Sequence, residues 1–292
     1  MKKVIMFSAV ALLLVVNAGA TDILSVQSGS WASPATWDGG TLPTASDMAI
    51  IEWDDWTEVD TAYTVGALQF GGGGAKVTVK PAGTLNVNGQ INHWVKEWPQ
   101  GLYVDGGTLN VGGDYRVDGG GNGAINSLNI SSGTANLAYL ELGWWAWNSG
   151  SGEGKGVLDI DGSDGAIYLS QNFVMGEFGG LNYQVAADGT VTPVTSQGLG
   201  GSASVTVNGE LIVDLSAMGS TPAEIVLIEN GGVDAISGVF DSVSITGASG
   251  YSLNYAGGDG NDLTVVIPEP GTIGLLSLGG VGLFLFRRRL SI

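Results

Sequence analysis

Gly83-Thr84-Leu85-Asn86-Val87 returns as Gly107-Thr108-Leu109-Asn110-Val111, and looser copies follow as Gly133-Thr134-Ala135-Asn136-Leu137 and Gly156-Val157-Leu158-Asp159-Ile160. The starting glycines lie 24, 26 and 23 residues apart. Inside each phrase apolar and polar residues alternate, so one set of side chains points to a core and the other to water, as in a half-buried strand. Such a unit cannot bury its apolar face alone; stacking on the next copy buries it, and the asparagines then fall at equivalent heights where their amides can ladder. The expected fold is all-β, a parallel β-helix (β-solenoid). An antiparallel sandwich has similar strand spacing and is the competing fold, but the repeat is longer than one hairpin.

The same alternation runs outward in both directions, at Leu128/Ile130, Val205/Val207 and Leu211/Val213/Leu215, and no helical periodicity occurs in 21–267. Glycine is 50 of 292 residues, about twice the usual share, with only 8 prolines. That composition reads as short strands joined by tight turns. Segment 29–70 (Trp31, Pro34, Trp37, Pro43, Asp47, Ile50, Ile51) differs from the middle and is expected to hold an N-terminal cap and the first strands, with 48–53 starting the stack. It resembles the opening of bacterial surface β-helix proteins and of G8-like modules. Segment 174–199 is less regular and is read as carrying a long loop. Segment 224–267 resembles the closing segment of autotransporter-type passengers, through Ile225-Val226-Leu227-Ile228, Gly238-Val239-Phe240 and Tyr255.

The two termini carry addresses. Lys2 and Lys3 precede a thirteen-residue apolar core, 4–16, and Ala18-Gly19-Ala20 offers small residues for signal peptidase. Residues 1–20 therefore read as a secretory signal peptide, with Ala18 and Ala20 at the cleavage site. At the other end Pro268-Glu269-Pro270 precedes an uncharged run, 271–286, and then Arg287-Arg288-Arg289. Apolar residues can enter hydrocarbon, and three guanidinium groups stay on the cytoplasmic side. Sixteen residues at helical rise span about 24 Å, short for a resident span but suited to a temporary anchor. The order of parts in 268–292 resembles the PEP-CTERM sorting signal of Gram-negative-type bacteria. That resemblance implies recognition by an exosortase, a membrane protease-transferase, transient inner-membrane anchoring through a transmembrane helix at 271–286, and then delivery to the cell surface or extracellular matrix.

Charge narrows the partners of the body, 21–267. Setting aside Lys2, Lys3, Glu269 and the three terminal arginines leaves 5 basic and 27 acidic residues, a net of −22. Such a surface repels phosphate backbones, which argues against nucleic acid. Without cysteine there is no disulfide, thiol nucleophile or thiolate metal site. The single histidine, His93, excludes a three-histidine zinc site and reads as a surface residue.

The remaining candidates are weaker. Gly257-Gly258-Asp259-Gly260-Asn261-Asp262 resembles the start of an RTX-type calcium nonapeptide, which makes Asp259 and Asp262 calcium candidates. Thr264 stands where a large apolar residue belongs, and only one copy is present, so the plainer reading is a Gly-Asp turn before a last strand. Trp144, Trp145 and Trp147 could bind sugar rings, and the acids Glu52, Asp54, Asp55, Glu58 and Asp60 flank Trp53 and Trp56. Alternation places Glu52, Trp53 and Asp54 on opposite faces of a strand. The five body cations, Lys76, Lys80, Lys96, Arg116 and Lys155, form no cluster in the sequence. The expected function is a structural or adhesive exported protein with no enzymatic site and no cofactor. The alternatives are a carbohydrate-binding module using tryptophan faces, a glycan-cleaving enzyme using Asp54 or Asp55, or an ice binder, for which only Thr190-Val191-Thr192 is present.

Overall fold

The computed structural model describes residues 20–93, 98–146, 154–197, 203–219, 222–232 and 234–267. These are all-β, with three single-turn 3-10 segments and no α-helix among them. Nearly every strand pairs in parallel with the strand one repeat further along the chain, and three such series run side by side. The first passes through Asp22–Leu24, Met48–Ile51, Ala67–Phe70 and Ile91–His93, continuing to Val205–Val207. The second passes through Gly29–Ser30, Trp56–Val59 and Lys76–Val79 and on to Ser242–Thr246. The third begins at Ala62–Val65 and Thr84–Val87 and ends at Glu224–Asn230. Parallel register at these separations excludes the antiparallel sandwich.

In-register stacking turns each inward position into a column. In the second series Val77, Leu102, Leu128, Leu158, Leu181 and Leu211 lie one above another, all buried. Adjacent strands are about 4.8 Å apart, so like side chains meet at van der Waals distance without a fitted jigsaw. The outward asparagines do ladder: Asn136 Nδ2 donates to Asn110 Oδ1 at 2.8 Å, and Asn110 Nδ2 donates to Asn86 Oδ1 at 2.8 Å. Asn86 Nδ2 in turn donates to Thr64 Oγ1 at 3.2 Å.

Several expectations are corrected. The Gly156 phrase does not continue this ladder. It sits in the second series, with Asn129 opposite Asp159, and Gly165–Leu169 takes the place above Gly133. Alternation fixes the face of a residue but not its series. The stack starts at Asp22–Leu24 rather than at 48–53; Met48–Ile51 is its second member, and residues 52–55 are a turn with Asp54 at φ 57°. Glu52, Trp53 and Asp54 therefore do not alternate along a strand. Segment 174–199 holds most of Phe173–Met175 and all of Gly179–Gln184 and Val194–Ser196, each in register.

Both ends are finished differently from the middle. In the first repeat the third series has no strand. Trp31 and Trp37 fill that place, both fully buried, with ring centroids 4.8 Å apart, and Trp31 packs over Tyr63. At the far end Asp262–Val266 runs antiparallel between Glu224–Asn230 and Ser252–Gly257, ending the parallel series. His93, expected on the surface, is 5% exposed. Its ring stacks on Phe70 at 4.4 Å and on Tyr115 at 5.8 Å, and its Nε2 lies 3.3 Å from the Tyr115 hydroxyl. Burial pushes its pKa down to about 3.

Two outcomes follow from this packing. Leu109→Ala removes one member of a buried column and should cost about 2–5 kcal/mol, whereas Asn110→Ala, on the half-exposed ladder, should cost about 1 kcal/mol; urea unfolding of each variant reads the difference. His93 is neutral when folded and protonates near its ordinary value of 6.5 when unfolded. The unfolded chain thus holds the extra proton between those values, and stability falls as pH drops below about 6.5. Asp47, held down to about 2 by the hydroxyls of Thr21 and Thr44, loses its own contribution only below its ordinary value of 3.8. Between pH 4 and 6 the slope should approach about 1.4 kcal/mol per pH unit and flatten in His93→Phe, as measured by unfolding at stepped pH.

Candidate functional site

A groove of about 630 Å³ lies on the outer face of the second series, near its start. Trp56 is in register with Lys76, and Glu58 with Thr78 and then Tyr103. Outward positions of consecutive strands are therefore brought together by pairing alone. Lys80 and Asp105, just past the strand pairs, close the lower side: Lys80 Nζ sits 3.7 Å from Glu58 and 3.4 Å from Asp105. Lys76 Nζ instead sits 4.0 Å from the centroid of the Tyr103 ring. The ammonium meets the negative face of the ring there, which fixes its position without a carboxylate.

Glycines make room for the aromatic rings. A Cβ at Gly101 would come within 2.6 Å of the Tyr103 ring, so that ring lies against bare backbone. At the adjoining corner, Gly72 and Gly73 carry the rings of Trp53 and Trp98 in the same way, with a Cβ reaching 2.4 Å and 2.7 Å from them. One side of the Trp53 and Trp98 rings is thus supported by backbone while these residues remain 50% and 59% exposed; Trp56, in the groove, is 46% exposed. The corner is held by Asp54 N–H donating to Gly73 O at 2.9 Å, and Gly74 N–H donating to Pro99 O at 2.8 Å. Sequence reasoning found Trp53, Trp56, Lys76 and Lys80 singly but concluded that no cations cluster. Lys76 and Lys80 share this groove because they flank the strand Lys76–Val79 four residues apart, an even separation that keeps both on its outer face. The signal that could have found it is the register: Trp56, Lys76 and Gly101 are equivalent positions of successive repeats.

The other candidates are dispersed. Trp144, 59% exposed, lines a second groove of about 490 Å³ with Met175, Glu177 and Val239. The side chain of Trp145, and Trp147 entirely, lie outside the described residues. Asp55 accepts a hydrogen bond from Ser25 Oγ at 2.6 Å, and Asp54 packs its carboxylate against Gly74. Asp259 is exposed at the tip of the Ser252–Gly257/Asp262–Val266 hairpin, whereas Asp262 is buried and accepts from Asn230 N–H at 2.8 Å. An antiparallel hairpin does not provide the stacked neighbours that an RTX-type site uses, and no group of three or more His, Cys, Asp or Glu residues able to hold a metal occurs among the described residues. Asp159, in the second series, has its pKa raised by burial, opposed by the hydrogen bond from Asn182 Nδ2 at 2.6 Å. A third groove of about 610 Å³ runs beside the asparagine ladder, lined by Asn86, Asn110, Asn136 and Tyr168.

Ala20 is exposed at the start of the described residues. Ala18, Pro268, Glu269, Pro270, Arg287, Arg288 and Arg289 lie outside them, as does the expected helix 271–286. Among the described residues no helix is long and apolar enough to cross a membrane.

No curated protein and no solved structure matches this chain. A family model described as the PEP-CTERM protein-sorting motif matches residues 266–289, which include both the Pro-Glu-Pro triplet and the three arginines. The chain carries a PEP-CTERM sorting motif, the mark of an exported protein sorted to the cell surface by an exosortase.

Proposed function

We propose that this is a structural or adhesive protein of the cell surface or extracellular matrix, built as a parallel β-solenoid over 21–267 and free of catalysis. The route runs through a signal peptide, 1–20, cut by signal peptidase after Ala18-Gly19-Ala20. Transient inner-membrane anchoring by 271–286 follows, and then exosortase action at Pro268-Glu269-Pro270. The observation that carries the reading is the sorting motif joined directly to the closing strand Asp262–Val266. The parallel series, with buried columns such as the one from Val77 to Leu211, support the solenoid.

The physical task suits such a body. Three series of stacked strands resist bending because every backbone rung is hydrogen-bonded on both sides. A net charge of −22 keeps the outer wall hydrated and repels anionic surfaces. Among the described residues no group of three or more acids or histidines gathers in one place to hold a metal, and Asp55 is engaged by Ser25. A binding role for exposed tryptophans is the second reading. It is favoured by Trp53 and Trp98 standing half-exposed on glycine backbone, with Trp56 half-exposed nearby.

Replacing Pro268, Glu269 and Pro270 together by alanine should leave the protein in the inner-membrane fraction. Fractionation of cells followed by immunoblotting reads this, and surface delivery equal to wild type would overturn the sorting route.

A further inference from the structure

We propose that the groove between Trp56 and Tyr103 binds an extended, carboxylate-bearing polysaccharide of the uronic-acid class. This gives the adhesive reading above a partner and a site, and it rests on that reading only for where the partner is met.

Three observations carry it. The first is the aromatic surface. Trp56 and Tyr103 lie on strands two apart in the second series and two residues apart in register, about 12 Å at sheet geometry, the reach of a di- to trisaccharide lying obliquely along the stack. Trp53 and Trp98 extend this surface around the corner. Trp53 and Trp98, already seated on Gly72 and Gly73, lose little freedom when a ligand covers their open side, Trp56 offers a half-exposed ring, and the C–H face of a pyranose is apolar enough to pack on such rings.

The second is the charge arrangement. Among the described residues of a body with net charge −22, each other cation pairs with a carboxylate: Lys80 with Glu58 and Asp105, Arg116 with Asp114 and Glu141, and Lys155 with Glu210. Lys76 alone has an aromatic ring as its partner. Its ammonium keeps donors for a ligand carboxylate at a fixed place in the groove. The two lysines and two acids balance, so the groove is a neutral spot on an acidic wall. At physiological ionic strength the surrounding acids beyond about 8 Å are largely screened.

The third is the polar rim. Glu58 and Asp105 are held by Lys80 facing the groove, and Thr78 and Ser131 complete its lining. Carboxylates accept hydrogen bonds from sugar hydroxyls, and hydroxyl side chains both donate and accept.

The test uses the full-length chain purified in detergent micelles, titrated with oligogalacturonate and, in parallel, with a neutral cello-oligosaccharide of equal length. Tryptophan fluorescence and calorimetry read binding. At physiological ionic strength oligogalacturonate should bind, and the neutral sugar should bind at least several-fold more weakly. Trp56→Ala should weaken oligogalacturonate binding about tenfold, and Lys76→Met about threefold to tenfold. Trp144→Ala, in the other groove, should leave it unchanged. Lys76 and Trp56 are both partly exposed, and unchanged circular dichroism and melting confirm that the variants fold. Three results would each overturn the proposal: no binding, equal binding of the neutral sugar, or loss of binding in Trp144→Ala with none in Trp56→Ala. The titration does not involve sorting, so its failure leaves the Pro-Glu-Pro reading standing, and retention of wild-type sorting in the alanine triplet leaves the groove standing.

Discussion

The constraint from which the rest follows is that no strand of this chain can bury its apolar face within its own repeat. Each finds its core neighbours only when the next repeat lies in parallel register above it. Once that register is set, the inward positions become columns, and the sequence satisfies them with Val, Leu and Ile over and over. The outward positions become columns too, which is why Asn86, Asn110 and Asn136 share their amides. With no cysteine, this repeated contact is what takes the place of disulfides in an exported protein.

The same register explains where glycine is needed. Corners of successive repeats sit at sheet spacing, so a side chain on one corner must lie over the corner beneath it. Gly133, at φ 86°, would put a Cβ 2.2 Å from Gly107 O. There only glycine lets the two backbones approach. At Gly72 and Gly73 the space is taken by tryptophan instead, and an otherwise structural requirement produces rings with one supported side and one open side. Structural glycine and candidate binding surface are thus the same feature seen from two sides of the ring.

Much of this was legible in the sequence, and the failures have physical causes. The Gly-Thr-Leu-Asn-Val phrase disclosed the strand period, the repeat and the ladder, because local alternation and stacking ask for the same residues. The Gly156 copy was misplaced because two series use the same alternation, and only the length of the intervening corner decides which one a phrase joins. His93 was misread because a single polar residue between Asn92 and Trp94 gives no hint that its inward position lies between Phe70 and Tyr115, one repeat away on either side. The groove escaped for the same reason: Trp56, Lys76 and Tyr103 are strangers in sequence and neighbours only through register. The tail was legible throughout, since a sorting motif is read as a linear string and owes nothing to the fold.

That tail bears on how the body is presented. The matched motif begins at Val266, which still pairs with Glu224 and Ser252, and Ile267 N–H still donates to Ala223 O at 3.0 Å. Folded structure therefore runs to within one residue of Pro268, with no spacer between them. On the proposed route the last strands would be held close against the membrane while the tail is engaged. A body of net charge −22 in that position is repelled by anionic headgroups, and the repulsion grows as the separation falls within a Debye length. On that route anchoring and surface charge would oppose one another, and the electrostatics of the body would favour its departure from the membrane. The acidity of the wall and the abrupt junction at Ile267 are in that sense parts of one arrangement.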